Sequence, residues 1–586
     1  MKKEIIITLR EINLKKRNTK LFVNLTNIYN NEKKLFYFNK RWSQSDKLLK
    51  DFNYLDKIYE INLVNLSGKL NKYHGKNFPI RFWRIIIGKW LYRFICCSYE
   101  RYMSILDLNQ NYRNLYFKLY QYDYKNFIPY GIEDFNYFVG THAWNNYIYS
   151  EIISWFKLKH IEKIRTNNFL DISEFKETYQ RLTKKKHSLK GKVYSHVLNF
   201  LGTFNKKKDY FIFDTYLKNQ DELNLNYKLN KNPTIFKPPK FENILSATSK
   251  FRFIKDFREN EKEKLNQTFD KFISNLVFKN LPKSYLEYFE EINLLIKKMK
   301  VPKNPKVIFT TRGINRNTLM DNYIALKTLS KSKLIIGQHG GNYGQHKGHW
   351  VSKHESEISD NFLSWSSKRS LKNIPVGVIK NVEDINYKNT NKMILFETRS
   401  RLLYSHDFKI DYGAINSEIY FEKTYKFLSL IKDKQISKNF FIKNNSKNFG
   451  WDEKKIFQTR FKNLNFVNSK LKTSDFMKKT KLIIYSFPST GHLECMSTNI
   501  PMMMFYFNDD KLLNKETQIY FQKLNEIGVL HKNPQSLYKK MLEIKADPGK
   551  WWYSKKVQKV VKEYSSKFCR RNKNLVEELF KIIKKN

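Results

Sequence analysis

The stretch IIGQHGGNYGQHKGHW, residues 335–350, places three histidines among five glycines at the end of an apolar run. A histidine at the carboxyl end of a strand can act as a general base or as an orienting hydrogen-bond donor near neutral pH. Gly340 and Gly341 follow His339 and let the backbone bend tightly and approach a ligand closely. His339 is therefore a candidate catalytic base, and a buried structural histidine is the alternative.

Metal binding is the other chemistry that clustered histidines suggest. The histidines of this region are His339, His346, His349 and His354. Their spacing matches no zinc pattern and no cysteine joins them, so we expect no metal site.

An acidic run, KHESEISD, occupies residues 353–360. Glu355 or Asp360 could supply a catalytic carboxylate that accepts a proton from an attacking hydroxyl. The alternative is that these carboxylates only favour the start of a helix. Both residues are kept as catalytic candidates.

A second candidate site lies in YSFPSTGHLE, residues 485–494. Ser486, Ser489 and Thr490 come between a predicted strand and a predicted helix, where backbone N–H groups and the helix dipole favour a phosphate. Glu494 lies one turn into that helix, where its carboxylate could accept hydrogen bonds from ribose hydroxyls. The alternative is that Ser489 or Thr490 only caps the helix.

Fixed positive charges accompany this second site. Arg399 and Arg401 lie in ETRSR, and Lys443 lies in FFIKNN; each segment ends a predicted strand. Basic side chains that face a helix N-terminus suit a diphosphate and could neutralise a departing nucleotide without a metal ion. Lysine is abundant in this chain, so the two arginines carry more weight.

The elements that position these residues alternate between strand and helix, which is typical of α/β domains with parallel sheets. Residues 305–313, 315–329 and 332–344 read as one β-α-β unit, and a second series begins at 393–401 and includes 481–505. Ligands of open parallel sheets bind beyond the carboxyl ends of the strands. The candidate residues should therefore line the facing rims of two sheets.

We predict an α/β fold with two stacked domains that face a cleft. The predicted N-terminal domain spans residues 1–365, a linker spans 366–390, and the C-terminal domain spans 391–586. A chain of 586 residues is long for one core, which supports the division.

Helical additions are predicted in the N-terminal half. An amphipathic helix with one basic face is predicted for residues 78–97, FPIRFWRIIIGKWLYRFICC. Its apolar face would pack against a core or lie on a membrane surface. Its four Arg and Lys residues argue against a membrane span. Residues 21–25 and 34–38 read as early strands.

The amino-acid composition, and above all the net charge, limits the classes of partner that the protein could bind. The chain has 109 Lys and Arg against 55 Asp and Glu, a formal net charge of +54. Codon usage of an AT-rich genome accounts best for this excess, an anionic membrane or substrate comes second, and nucleic acid is least favoured. Four scattered cysteines and a first apolar run too short for a signal peptide indicate a cytoplasmic protein.

In combination these motifs resemble a family of sugar transferases found in bacterial O-antigen and surface-polysaccharide gene clusters. The resemblance covers nearly the whole chain. It rests on IIGQHGGNYG, HESEISDNFLSW, PVGVIK, FGWDE, YSFPSTGHLECMSTNIPMMMF and DPGKWWYSKKVQ, with LNKYHGKNFPIRFWRIIIGKWL and THAWNNYIYSEI in the N-terminal half. The resemblance implies a GT-B-like arrangement of two Rossmann-type domains. The family is distantly related to capsule and Kdo transferases.

The family's functional positions carry over onto matching residues of this chain. These are His339 to Gly341, then His354, Glu355 and Asp360, then Lys443, then Gly450, Trp451 and Asp452, and finally Ser489, Thr490 and Glu494. The family more usually has arginine at the Lys443 position, and Pro and His where this chain has Ser446 and Lys447. PVGVIK also lacks the usual asparagine after its glycine.

The sequence thus predicts a metal-independent glycosyltransferase that moves a sugar from a nucleotide sugar to a glycan or lipid-linked glycan acceptor. No cofactor and no nucleic-acid partner are expected. The protein would work in the cytoplasm, with peripheral contact to the anionic inner membrane surface. The alternatives are a phosphopolyol transferase of the teichoic-acid type and, from another class, a non-catalytic membrane-associated scaffold or polyanion-binding protein.

Overall fold

The computed structural model describes most of the chain. The described residues are 3–6, 22–24, 35–37, 44–111, 115–165, 202–232, 236, 253–259, 268–366, 372–380, 387, 390–397, 414–444, 453–467 and 476–586. Within them, the strands form three sheets in which every pair of neighbouring strands is parallel. The predicted α/β class is confirmed.

The first sheet is built from the N-terminal segments. Its five strands, in the spatial order β3-β2-β1-β4-β5, are β1 Lys3–Ile6, β2 Phe22–Asn24, β3 Leu35–Tyr37, β4 Leu115–Gln121 and β5 Ile161–Arg165. The two early strands predicted from the sequence are present. They belong to a separate sheet, which the two-domain prediction did not include, because a strand pattern does not reveal the partner strand.

The second and third sheets carry the candidate residues. The second has the order β10-β9-β8-β7-β6 and the third has the order β13-β12-β11-β14-β15-β16. Their strands are β6 Tyr210–Ile212, β7 Val307–Thr310, β8 Lys333–Gly337, β9 Asn361–Ser364, β10 Asn373–Pro375, β11 Met393–Phe396, β12 Phe440–Lys443, β13 Asn465–Phe466, β14 Leu482–Tyr485, β15 Met502–Phe505 and β16 Leu530–His531.

Helices cover the sheets and build the N-terminal half. The α-helices are Ser45–His74, Ile80–Asn111, Ile132–Phe138, His142–Trp155, Asn219–Asn230, Lys255–Arg258, Phe269–Asn280, Phe289–Lys298, Thr318–Leu329, Trp350–Ile358, Ala414–Leu430, Lys434–Asn439, Glu453–Arg460, Thr490–Thr498, Lys515–Glu526, Pro534–Ile544, Pro548–Trp552, Lys555–Phe568 and Leu575–Lys585. The predicted helical additions are therefore confirmed.

The helix Ile80–Asn111 contains the segment that could have lain on a membrane. It is buried on most of its circumference, and Arg93 and Arg101 are each 5% exposed. The Arg101 guanidinium donates to Asn145 Oδ1 at 2.7 and 2.9 Å, so its charge has a polar partner inside the protein. Core packing is thus confirmed for this helix. Among the described residues, no helix is both long and apolar enough to cross a membrane.

One apolar cluster joins the second and third sheets. Ile335 of β8 and Ile483 of β14 are fully buried in the same cluster, together with Trp365 and Trp552. Burying several large side chains between two sheets favours a fixed arrangement, at roughly 1.5–3 kcal/mol for each side chain. The boundaries predicted at residues 365 and 391 stay predictions.

Candidate functional site

The carboxyl ends of the second and third sheets meet. The loop after β8 carries His339, Gly340 and Gly341, and the helix Thr490–Thr498 follows β14. The Gly341 N–H donates to Thr490 Oγ1 at 3.0 Å. A Cβ atom at Gly341 would lie 3.2 Å from the Thr490 nitrogen, so only glycine allows this approach without displacement. The two predicted sites are therefore one site.

A tyrosine joins the catalytic candidates His339 and Glu355. The Tyr343 hydroxyl donates to Glu355 Oε2 at 2.9 Å and lies 2.9 Å from His339 Nδ1. Because its single proton goes to Glu355, the hydroxyl accepts from Nδ1–H, which makes Nε2 the basic nitrogen of His339. Glu355 Oε1 lies 3.5 Å from His339 Nδ1. These three side chains form a hydrogen-bonded cluster.

The protonation of Glu355 is set by its burial. Its side chain is 4% exposed, and burial raises its pKa to about 8, although the Tyr343 hydroxyl and the charges of Lys89 and Arg316 act in the opposite direction. The carboxyl group therefore gains or loses a proton near neutral pH. Its contact with His339 is therefore not a permanent ion pair.

Two cations and an aromatic ring lie at the same rim. Lys380 Nζ donates to Glu494 Oε1 and lies 5.8 Å from the centroid of the Tyr216 ring. The Arg312 guanidinium carbon lies 4.6 Å from that centroid, and Arg312 pairs with Asp214 at 2.6 Å. Glu494 thus has a cationic partner, which a ribose hydroxyl would have to displace or join.

The N-terminus of the helix Thr490–Thr498 is shaped by close packing. Ser489 occupies the N-cap position, but its side chain makes no capping hydrogen bond, so the capping alternative is not supported for Ser489. A Cβ atom at Gly491 would lie 2.5 Å from the Tyr485 hydroxyl oxygen. Glycine at this position lets the first helical turn lie directly against β14.

A buried chain of hydrogen bonds connects this helix to the loop after β8. His492 Nδ1 donates to the Ser489 carbonyl at 2.5 Å, so His492 Nε2 must accept from the Tyr564 hydroxyl at 2.9 Å. Gln345 Nε2 in turn donates to the same hydroxyl at 2.8 Å. Burial lowers the pKa of His492 to about 4, which keeps the ring neutral and its Nε2 an acceptor.

Backbone bonds fix the same loop to the segment that precedes the helix Lys515–Glu526. The Lys347 N–H donates to the Leu512 carbonyl at 2.9 Å, and the Asn514 N–H donates to the Gln345 carbonyl at 2.9 Å. His346 and Leu513 form an antiparallel bridge between them. Main-chain pairing with residues 512–514 therefore holds the histidine-glycine loop in place.

Asp360 is a correction to the sequence analysis. It precedes β9, and its Oδ2 accepts from the Leu334 N–H at 2.8 Å near the start of β8. Arg81 donates to the same oxygen at 2.8 Å. This is the amino edge of the sheet, whereas His339 lies at the carboxyl edge. The carboxylate anchors a helix to the sheet and is removed from the catalytic candidates.

The remaining predicted residues fall in different places. Lys443 ends β12, where burial lowers its pKa. Ser486 follows β14, and its N–H donates to the Phe396 carbonyl at 3.1 Å. Both lie at the carboxyl edge of the third sheet. Arg399, Arg401 and the segment Gly450 to Asp452 lie outside the described residues, so their roles stay predictions.

Several residues of the site were missed by the sequence analysis. Tyr343 contacts the predicted His339 and Lys380 contacts the predicted Glu494, while Tyr564 contacts His492 in the helix that begins at Thr490. Tyr343 lies within the motif, four residues after His339, and that short spacing was an available signal. Tyr564 and Lys380 are distant in sequence and carry no local pattern. No group of three His, Cys, Asp or Glu side chains in the described part of the chain could hold a metal ion.

The facing carboxyl edges define the class: an α/β protein whose candidate residues meet between two parallel sheets. The chain belongs to the LIC12162 family of transferases, whose model matches residues 22–583. The protein is therefore a transferase. No curated protein has a significant sequence match to this chain.

Solved structures give remote likenesses. An S. aureus MnaA–UDP co-structure has a TM-score of 0.36 at 14% identity and covers 64% of this chain and 96% of its own. UDP-GlcNAc 2-epimerase from Neisseria meningitidis, bound to UDP-GlcNAc, has a TM-score of 0.35 at 12% identity, and the match covers 64% of this chain and 99% of the epimerase chain. Acinetobacter baumannii MurG has a TM-score of 0.29 at 10% identity, and the match covers 51% of this chain and 78% of the MurG chain. Similarities this remote do not identify the substrate of this protein.

Proposed function

We propose that the protein is a glycosyltransferase that moves a sugar from a nucleotide-activated donor to a surface-polysaccharide acceptor of the O-antigen or capsule type. The observation that carries the proposal is the direct contact between the loop of His339 and the N-terminus of the helix Thr490–Thr498. That contact puts a candidate base beside a candidate phosphate site.

The donor would bind through its phosphates and its ribose. The N-terminus of the helix Thr490–Thr498 supplies backbone N–H groups and a favourable dipole for a diphosphate. Lys380 and Arg312 lie at the same rim, each paired with a carboxylate, and would turn toward the phosphates of a bound donor. Together they would stabilise the nucleoside diphosphate as the bond between its phosphate oxygen and the anomeric carbon breaks. We propose that no metal ion is needed for this step.

The acceptor would be activated on the opposite rim. As the acceptor oxygen bonds to the anomeric carbon, its proton passes to His339 Nε2. The Nδ1–H of His339 stays directed at the Tyr343 hydroxyl and at Glu355, which stabilise the imidazolium that forms. Glu355 would contribute most in its ionised form. The reaction would take place on the cytoplasmic side of the membrane.

A thermal-shift screen with nucleoside diphosphates, CMP and their sugar conjugates tests the donor. We expect one nucleotide to stabilise the wild-type protein, by about 2.7 kcal/mol at 100 times its dissociation constant. Glu494→Ala should lose that shift, and Glu526→Ala, a matched change at an exposed helical glutamate, should keep it. A folded protein that responds to none of these ligands contradicts the proposal.

Product analysis tests the reaction. Incubation of the responding nucleotide sugar with cell-envelope acceptor should give a product with the donor sugar and without its phosphate. Phosphate retained in the product would establish the phosphopolyol alternative instead. Activity that EDTA abolishes and manganese restores would contradict metal independence.

A further inference from the structure

A cavity lies beside the cluster of His339, Tyr343 and Glu355. It has a volume of about 300 Å³, is open to solvent on one side, and is lined by β9, the helix Trp350–Ile358 and the loop that precedes that helix. This volume is at the lower end of the range for small-molecule sites, about 300–1,000 Å³. A single sugar ring is a ligand of suitable size.

Most of the side chains that line the cavity are polar and uncharged in type, while most of the surface that they expose to it is apolar. Ser352 and Ser356 lie one helical turn apart on one side, and Ser364, Ser366 and Asn373 lie on the other. A lysine also lines the cavity, but its charge is matched by Asp56, 2.6 Å from Lys353 Nζ. Hydroxyl and amide groups with little net charge suit a neutral polyhydroxylated ligand better than a phosphate.

One lining group has a hydrogen-bonding capacity that the protein does not use. Asn373 is 9% exposed, and its Oδ1 has no hydrogen-bond partner among the described residues. A buried acceptor without a partner costs about 1–3 kcal/mol, which a ligand hydroxyl would recover once a rotation of the Asn373 side chain turned Oδ1 toward the cavity.

The cavity also touches the catalytic cluster. Tyr343 and Gln338 both line it. The Tyr343 hydroxyl is bonded to Glu355 and lies beside His339 Nδ1, while its ring stacks on Phe362 with centroids 5.8 Å apart. A ligand in the cavity would therefore lie within one side chain of the candidate base.

We propose that this cavity binds one neutral sugar ring of the acceptor and presents the acceptor glycan to His339. The inference rests on the proposed function, because it assigns the acceptor subsite of the same reaction. It adds the chemical class of the ring, which is uncharged and rich in hydroxyl groups, and its place on the second sheet.

Saturation-transfer NMR with monosaccharides tests the subsite on the whole protein. The probes are glucose, galactose, mannose, rhamnose, N-acetylglucosamine and N-acetylgalactosamine. We expect at least one to give a signal that Ser356→Phe abolishes by filling the cavity. Ser274→Phe, the same change at a half-buried helical serine outside the cavity, should retain it. No signal from any probe, or a signal that survives Ser356→Phe, overturns the proposal.

Asn373→Leu provides a second test that does not depend on blocking the cavity. It removes the unpartnered oxygen, so the folded protein should be at least as stable as the wild type, while the bound monosaccharide should bind about fivefold more weakly. Unchanged affinity would overturn the role of Asn373. Nucleotide binding, measured separately by thermal shift, should be unaffected in both variants; its absence in the wild type would instead disprove the donor assignment.

Discussion

Glu355 and Asp360 lie five residues apart, yet their surroundings shift their pKa values in opposite directions. Burial raises the pKa of Glu355 to about 8. Burial also acts to raise the pKa of Asp360, but the hydrogen bonds from Arg81 and the Leu334 N–H outweigh it and lower the pKa below its ordinary value. The acidic run thus contains two carboxylates with different physical states.

The difference follows from the edge of the sheet that each carboxylate occupies. Glu355 faces the carboxyl edge, where its near partner is the neutral Tyr343 hydroxyl. Asp360 lies at the amino edge and has a guanidinium partner. A carboxyl group that titrates near neutral pH suits proton transfer, whereas a permanently ionised one suits an anchor. Three predictions test this contrast, and a fourth tests the link between the two rims.

The largest expected effect is on catalysis. Glu355→Gln should lower kcat by about 100-fold or more, because the variant cannot stabilise the imidazolium of His339 as a carboxylate does. Nucleotide binding should be unchanged. Asp360→Asn is the matched control and should keep kcat within about twofold. Equal loss in both variants, or none in Glu355→Gln, would contradict the assignment.

The next effect is on the pH dependence of stability. The folded protein holds a proton on Glu355 up to about pH 8, whereas the unfolded chain releases it near pH 4.5. The free energy of unfolding of the wild type, relative to Glu355→Gln, should therefore fall as the pH rises from about 4.5 to 8, by at most a few kcal/mol. Urea unfolding of both proteins across this range measures it. A constant difference would refute the raised pKa.

Asp360→Asn should show the opposite dependence. Loss of the charged partner of Arg81 should destabilise the protein by about 1–2 kcal/mol at pH 7. Because the folded pKa is lowered, this contribution is present above the unfolded value of 3.8 and is lost as the pH falls further. The same urea experiment at lower pH checks it. A difference from wild type that grows on acidification would be inconsistent with an anchoring carboxylate.

The smallest effect concerns the link between the rims. Tyr564→Phe removes the hydroxyl that Gln345 and His492 share, so the loop and the helix N-terminus lose a common support. We expect the donor KM to rise about fivefold, as for one lost hydrogen bond. Tyr553→Phe, whose hydroxyl donates to the Asn499 carbonyl instead, is the control. Identical donor KM values in all three proteins would exclude this supporting role.

Much of the fold could be predicted because local patterns specify local elements. The helix that starts at Thr490 and the strand that ends just before Gln338 lie where the sequence indicated. Their contact followed from one rule, that ligand sites form at the carboxyl ends of parallel strands. The separate first sheet was not predicted, since partner strands are chosen by tertiary packing.

The site was only partly predictable for the same reason. Asp360 directly precedes a strand, which was a usable sign of the amino edge, but its position in an acidic run obscured that sign. Lys380 follows β10 and Tyr564 lies in a late helix, and nothing in their neighbouring residues indicates the contact. Burial, which sets the pKa of Glu355, is a property of the folded chain alone.

Hydrogen–deuterium exchange with and without the nucleotide that stabilises the protein tests the central claim most directly. One ligand held between the two rims should protect residues 338–345 and residues 489–494 together. Protection should be weaker in both segments of Glu494→Ala. Protection confined to one segment, or found only elsewhere in the chain, would contradict a shared site between the two sheets.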